Sequence, residues 1–164
     1  NIKRERLTDS FTHIWWYSPT EHPKASNTRV LQPYKDGMEK LLKSQKYNSG
    51  TRASGHKISE TGFLKEIQGA IPSSAILMAN THVDPAYSAW CKKKGIDMHP
   101  ARMPIGLADF FIKFLTTPGD LVFDPFGGSC TTGKSAELLK RKWICIEENP
   151  EYLLGAKGRF TYLR

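Results

Sequence analysis

Two chemistries compete for one stretch of the chain, "DPFGGSCTTGKS" at residues 124–135. From Gly128 it reads GSCTTGKS, which satisfies every fixed position of the G-x-x-x-x-G-K-[ST] loop that cradles nucleotide phosphates. From Asp124 it is instead an apolar strand ending in an acid, then a glycine-rich turn, then a helix. That is how Rossmann-like domains hold adenosine cofactors. In a phosphate loop the first glycine follows its strand almost directly, whereas Asp124, Pro125, Phe126 and Gly127 intervene here. The next strand ends in Glu147, about twenty residues beyond the turn, the distance at which an acid meets ribose hydroxyls. An NTPase would also need a metal-binding acid on another strand, and seventeen residues follow Glu147. The phosphate reading is set aside, and Lys134 and Ser135 are expected in the first turns of a solvated helix.

The elements that must position these residues follow from hydrophobic spacing. "IGLADFFIKFLTT" places apolar residues at helical intervals, and Pro118-Gly119 stops that helix. "DLVFD" then reads as a short buried strand, "TTGKSAELLKR" as a helix, "KWICIE" as a second strand and "NPEYLLGAKGRFTYL" as a final helix. Alternation of this kind predicts a parallel α/β arrangement. Upstream, "FTHIWWYS" at 11–18 is aromatic and β-branched enough for a buried strand, and "AILMA" at 75–79 is a further candidate. From Thr20 to about Gly69 the texture turns polar and basic, with a short helix near "DGMEKLLK". This segment reads as a loop-rich insertion.

Composition bounds the function. A chain of 164 residues, 39% hydrophobic and 24% charged, suits one soluble domain with or without an insertion. It holds no apolar run long enough for a bilayer and no charged-then-apolar leader, so a soluble intracellular protein without membrane partner is expected. The net charge of +8 points to a polyanionic partner, since clustered Lys and Arg release counterions from phosphates. Cys91, Cys130 and Cys145 form neither a CxxC pair nor a His-Cys cluster, so reduced thiols and no metal are expected.

"LTTPGDLVFDPFGGSCTTGKSAELLKRKWICIEENPEYL" closely resembles the cofactor segment of S-adenosylmethionine-dependent DNA amino-methyltransferases. Their pattern is a strand, D-P-F-x-G-S-x-T-T, a helix, and a strand ending I-x-I-E with N-P-x-Y. "HPARMP" at 99–104 looks like the segment these enzymes place over the methionine end of the cofactor. "RLTDSFTHIWWYSPTEHPKASNTRVLQPY" and "TRASGHKIS" are also similar to the N4-cytosine branch. The resemblance implies an α/β, Rossmann-like methyltransferase fold, circularly permuted and partial in this chain, with a loop-rich target-recognition insertion. Residues 1–19 would belong to the catalytic domain as a strand region, 20–98 would recognise the target, and 99–164 would bind S-adenosylmethionine. It implies double-stranded DNA as partner and a cytoplasmic enzyme of a prokaryote or phage, in a restriction-modification system. An N6-adenine enzyme, or a noncatalytic DNA-binding or assembly subunit, is the alternative.

By that resemblance, Asp124, Phe126, Gly127, Gly128, Ser129, Glu147 and Asn149 would bind the cofactor, with His99 and Arg102 contributed by "HPARMP". Gly127 and Gly128 would let the backbone turn tightly beneath it. Asp124 would hold the turn amides or the methionine part, and Glu147 would accept both ribose hydroxyls. Such enzymes carry an S-P-P-Y/W or D/N-P-P-Y/W catalytic loop, and no such tetrapeptide stands here. "SPTE" at Ser18 lacks the second proline and the aromatic. "DPAY" offers Asp84 and Tyr87 but has Ala86 for the second proline, and reads more plainly as a type I turn. The loop is therefore expected upstream of Asn1, in an amino-terminal half or a second subunit. The basic residues Lys24, Arg29, Lys35, Lys40, Lys43, Lys46, Arg52, Lys57 and Lys65 suit phosphate contact. Arg52 and His56 in "TRASGH" are the expected base readers, because Arg can fork onto a guanine edge.

Overall fold

The computed structural model describes residues 11–59, 62, 64, 68–79 and 83–161. Five α-helices run through these residues: α1 (Asp36–Ser44), α2 (Pro85–Lys94), α3 (Ile105–Leu115), α4 (Thr131–Leu138) and α5 (Pro150–Ala156). Four strands accompany them: β1 (Gly50–Thr51), β2 (Lys57–Ile58), β3 (Leu121–Asp124) and β4 (Lys142–Cys145). β3 and β4 are parallel, in register from Leu121 opposite Lys142 to Asp124 opposite Cys145. The helix α4 makes the crossover, so the expected α/β order of this region is what forms.

The period-two pleat divides β3 and β4 into two faces. Val122 and Trp143 turn towards the helices, where Ala108 and Ile112 of α3 meet Ala136 of α4 to form the core. Leu121, Phe123 and Ile144, with Ile146 just beyond β4, stay exposed on the opposite face. Among the described residues no further strand joins this sheet.

The "GKS" triplet owes its residue types to packing. A Cβ on Gly133 would stand 2.4 Å from Cys130 Sγ and 2.8 Å from the Trp143 ring, so α4 can approach β4 this closely only with glycine. Lys134 Nζ pairs with Asp84 Oδ2 at 2.7 Å. Ser135 is fully buried and donates its hydroxyl proton to Asp109 of α3. The expectation of a solvated face is thus corrected: these side chains point at partners 50 and 26 residues upstream.

Three further expectations change. "FTHIWWYS" forms no strand, and Trp15 is 77% exposed, with Trp16 touching only the edge of Phe114 at 5.5 Å. Aromatic and β-branched content makes a strand only where a neighbouring strand supplies hydrogen bonds, and among the described residues none does so here. "AILMA" is likewise without ladder partners, and Leu77 is 97% exposed. "DPAY" is the first turn of α2. Asp84 is its N-cap, accepting the Tyr87 amide at 3.2 Å, and Pro85 takes the first helical position, where no amide proton is needed.

The basic insertion holds α1, a short 3-10 turn at Asn27–Val30 and the antiparallel β1–β2 hairpin. Near its amino-terminal end it rests on the α/β part, where Arg29 donates to the carbonyls of Lys113 and Phe114 at 2.8 Å each, closing the carboxyl end of α3. Beyond the insertion, α2 lies against α5 and the 3-10 turn Lys157–Phe160. All three cysteines are free thiols. No helix among the described residues is long and apolar enough to cross a membrane.

Candidate functional site

The turn between β3 and α4 is stitched to the end of β4. Ile146 N donates to Asp124 O at 2.9 Å, and Gly127 N donates to Ile146 O at 2.7 Å. Asp124 Oδ1 accepts the Phe126 amide at 3.0 Å, so its carboxylate does hold a turn amide. Gly128 adopts φ +52°, a conformation that favours glycine. Any Cβ there would sit 3.2 Å from His99 Nε2, and one on Gly127 would sit 3.0 Å from Cys145 Cβ. The glycines make room for the protein's own chain on these sides.

Glu147 closes the turn from the second strand. Its Oε2 accepts the Gly128 amide at 2.8 Å and its Oε1 accepts the Asn149 amide at 3.0 Å. These hydrogen bonds, Asn149 first, together with the charge of nearby His99, hold the carboxyl below its ordinary value. Asn149 Oδ1 accepts the Glu151 amide at 2.9 Å and so caps α5, immediately before Pro150. Phe126 stands beside the turn, 88% exposed.

Ser129 faces inward. Its carbonyl and hydroxyl both accept from Arg159, the hydroxyl at 2.8 Å, and Arg159 is 2% exposed. The same guanidinium donates to Asp84 Oδ2 at 2.7 Å. Burial works against the Asp84 charge, yet the Lys134 hydrogen bond, the Tyr87 amide and the two cations hold its carboxyl below its ordinary value. Tyr87, wholly buried, accepts the His99 amide on its hydroxyl at 2.9 Å. The His99 ring packs edge-on against Tyr152, 4.4 Å between centroids. Arg102 stays at the rim, its guanidinium 6.0 Å from the Tyr87 ring centroid.

The structure therefore brings Asp124, Phe126, Gly127, Gly128, Glu147, Asn149 and His99 to one turn. It sets Ser129 beneath that turn and Arg102 outside it. Asp84 and Tyr87 are buried in the packing below the turn. Sequence reading missed Lys134 and Arg159 here. Arg159 lies 75 residues from Asp84 and no local pattern marks it.

The polar insertion presents a second arrangement. Arg52 N donates to His56 O at 2.9 Å, closing the tip of the β1–β2 hairpin, so both expected base readers lie side by side and exposed. Lys43 in the last turn of α1 and Lys46 just beyond it are exposed as well. Lys24 pairs with Asp120 at 3.1 Å, near the α3–β3 corner, and remains largely exposed. Lys65 lies outside the described residues. No group of three or more His, Cys, Asp or Glu among the described residues could hold a metal ion.

The DNA methylase profile matches residues 1–158. The type II methyltransferase M.PvuII of Proteus hauseri is 45% identical over 162 residues, which is 98% of this chain and 48% of that protein. The chain thus spans about half the length of that relative. M2.MboI of Moraxella bovis is 42% identical over 46% of this chain and 27% of that methyltransferase. The DNA adenine methyltransferase YhdJ of Escherichia coli is 47% identical over 34% of this chain and 19% of its own. Among solved structures, the PvuII cytosine-N4-specific DNA methyltransferase superposes with a TM-score of 0.54 at 47% identity, over 57% of this chain and 33% of that one. With its turn, its parallel strand pair and these matches taken together, the chain belongs to the DNA methylase family.

Proposed function

We propose that this chain is the cofactor-binding and target-recognition part of a DNA methyltransferase. The enzyme would move a methyl group from S-adenosylmethionine to the exocyclic N4 of cytosine in duplex DNA. One observation carries the reading: the Glu147 carboxylate spans the Gly128 and Asn149 amides at the carboxyl ends of two parallel strands, beside an exposed Phe126. Crevices at such strand ends are where α/β sheets bind ligands.

The residues fit the cofactor. A carboxylate accepting two amides retains lone pairs for a pair of ribose hydroxyls, and the exposed ring of Phe126 suits an adenine face. Asp124, Gly127, Gly128 and Asn149 would shape the cradle. His99 would close it from above, Ser129 would support it from below, and Arg102 would guard its rim. When bound, the cofactor supplies an electrophilic sulfonium methyl. This chain's share of the work is to hold and orient it.

We place the catalytic loop in another segment of the protein or in a second subunit. Asp84 and Tyr87 are committed to packing, and the Ser18 hydroxyl of "SPTE" is turned back onto Thr20 O at 2.8 Å. The remaining sheet strands are assigned there too, as a cover for Leu121, Phe123 and Ile144. The sheet would then be a permuted one, with its cofactor strand late in the chain. The N4-cytosine reading is supported by the match to M.PvuII over 98% of the chain, whereas the adenine enzyme YhdJ matches 34%. The relatives are bacterial, which supports a bacterial cytoplasmic setting and a restriction-modification role.

Target recognition is assigned to residues 20–98, with the β1–β2 hairpin as the reading element. Arg52 and His56 would address base edges, and Lys43, Lys46 and, peripherally, Lys24 would address phosphates. Duplex DNA incubated with the intact protein and labelled S-adenosylmethionine should yield N4-methylcytosine on digestion. N6-methyladenine would shift the target base, and no labelled base at all would favour a noncatalytic subunit. In the same assay, Arg52→Ala should cost cognate DNA about 1–3 kcal/mol and relax discrimination. Lys43→Ala should weaken all sequences alike. If both variants keep full affinity and discrimination, the hairpin is not the recognition element.

A further inference from the structure

Beneath the glycine-rich turn lies a buried polar cluster. Asp84 Oδ2 accepts both Lys134 Nζ and Arg159 Nη1 at 2.7 Å, and Asp84 and Arg159 are 3% and 2% exposed. Arg159 reaches up from this ion pair to the carbonyl and hydroxyl of Ser129, inside the turn. Its guanidinium lies 4.6 Å from the centre of the Tyr87 ring. Tyr87, in the first turn of the helix that Asp84 caps, presents its hydroxyl to the His99 amide.

His99 is thereby fixed at its backbone amide. Its Nδ1 accepts the Ala101 amide at 3.2 Å, so in the neutral ring the proton resides on Nε2. Nε2 is also the atom nearest to where a Cβ of Gly128 would be, at 3.2 Å. The turn needs support from below. Cys130 takes φ +58°, which is uncommon for a residue with a side chain, and two hydrogen bonds from Arg159 fix the residue before it.

We propose that Tyr87 and Arg159 are positioning residues of the cofactor site. Tyr87 acts through the backbone of His99, Arg159 acts through Ser129, and Asp84 is the common anion that registers both. The assignment rests on the S-adenosylmethionine reading of the turn and adds to it a set of residues buried beneath it. The cluster ties α2, α4 and the 3-10 turn Lys157–Phe160 to a single loop, so an error of packing in any of them would be felt at the cofactor.

A double-mutant cycle separates this role from plain packing, because residues acting through one another give non-additive losses. Tyr87→Phe keeps the buried ring and deletes the hydroxyl. Binding of S-adenosylhomocysteine to the intact chain is expected to weaken about fivefold, the size of one ordinary hydrogen bond. The same substitution made on top of His99→Ala is expected to cause no further loss. Equal losses in both backgrounds, or no loss in either, would overturn the assignment while leaving the cofactor reading in place. Absence of binding by the unsubstituted chain would remove both. If Tyr87→Phe fails to fold, nitrogen-15 shifts of the His99 ring in the unsubstituted chain decide instead. An Nε2–H tautomer whose signal moves on adding S-adenosylhomocysteine supports the assignment, and an Nδ1–H tautomer or a ring that does not respond contradicts it.

Discussion

Replacing Asp84 with alanine is expected to destabilise the chain by about 3–5 kcal/mol, the range for removing one partner of a buried ion pair. The cost arises from what remains. Lys134 and Arg159 would lose the carboxylate they share, Arg159 in a site only 2% exposed, and α2 would lose its N-cap. Stabilities of whole domains are about 5–15 kcal/mol, so this loss is a large part of the total. Denaturant titration reads it as a shift in midpoint, and a variant within about 1 kcal/mol of the parent would show that the cluster is not a structural centre. The effect also has a pH signature. The Asp84 carboxyl is held below its ordinary value of 3.8, so its contribution is complete above that value. It is lost as pH falls through the lower folded-state value. The Asp84→Ala variant should therefore differ most from its parent near neutrality and converge with it in strong acid.

Glu147→Ala should remove roughly tenfold or more of the affinity for S-adenosylmethionine, the scale for leaving hydrogen-bonding ligand groups unpaired. Two effects combine in that loss: the ribose hydroxyls lose their acceptor, and the Gly128 and Asn149 amides lose the brace that shapes the turn. Glu147→Gln isolates the contribution of the charge, because an amide keeps one acceptor oxygen and loses the charge. Since the Asn149 amide, foremost, keeps this carboxyl ionised below its ordinary 4.5, affinity that depends on the charge should persist as pH falls past that value. Calorimetric titration of the variants at neutral pH checks the loss, and unchanged affinity in Glu147→Ala would exclude the residue from the site.

The parts of this molecule that were legible in sequence are those set by neighbours in the chain. The strand and helix order from Leu121 to Ala156 follows from periods of two and 3.6 and from Pro118-Gly119. The residues from Asp124 to Asn149 that meet at the turn lie within one short stretch, where the resemblance to a family pattern could name them. α2 was missed although its signals are all present. Asp84 and Pro85 open it, three lysines fill its last turn, and Gly95 at φ +66° closes it. "FTHIWWYS" shows the opposite error, where composition favoured a strand that found no partner among the described residues. Lys134 and Arg159 were beyond reach for a different reason. They share one buried carboxylate 50 and 75 residues away, and nothing short of the fold brings the three together.

That cluster also resolves the ambiguity of the glycine-rich stretch. A phosphate-binding lysine must extend towards the loop's ligand, whereas Lys134 is turned towards Asp84 and neutralised there. Side-by-side calorimetry of S-adenosylmethionine and ATP-magnesium on the intact chain tests this most directly. The account predicts saturable binding of S-adenosylmethionine that Glu147→Ala weakens, and no binding of ATP-magnesium. Saturable ATP-magnesium binding with no heat from S-adenosylmethionine would contradict it.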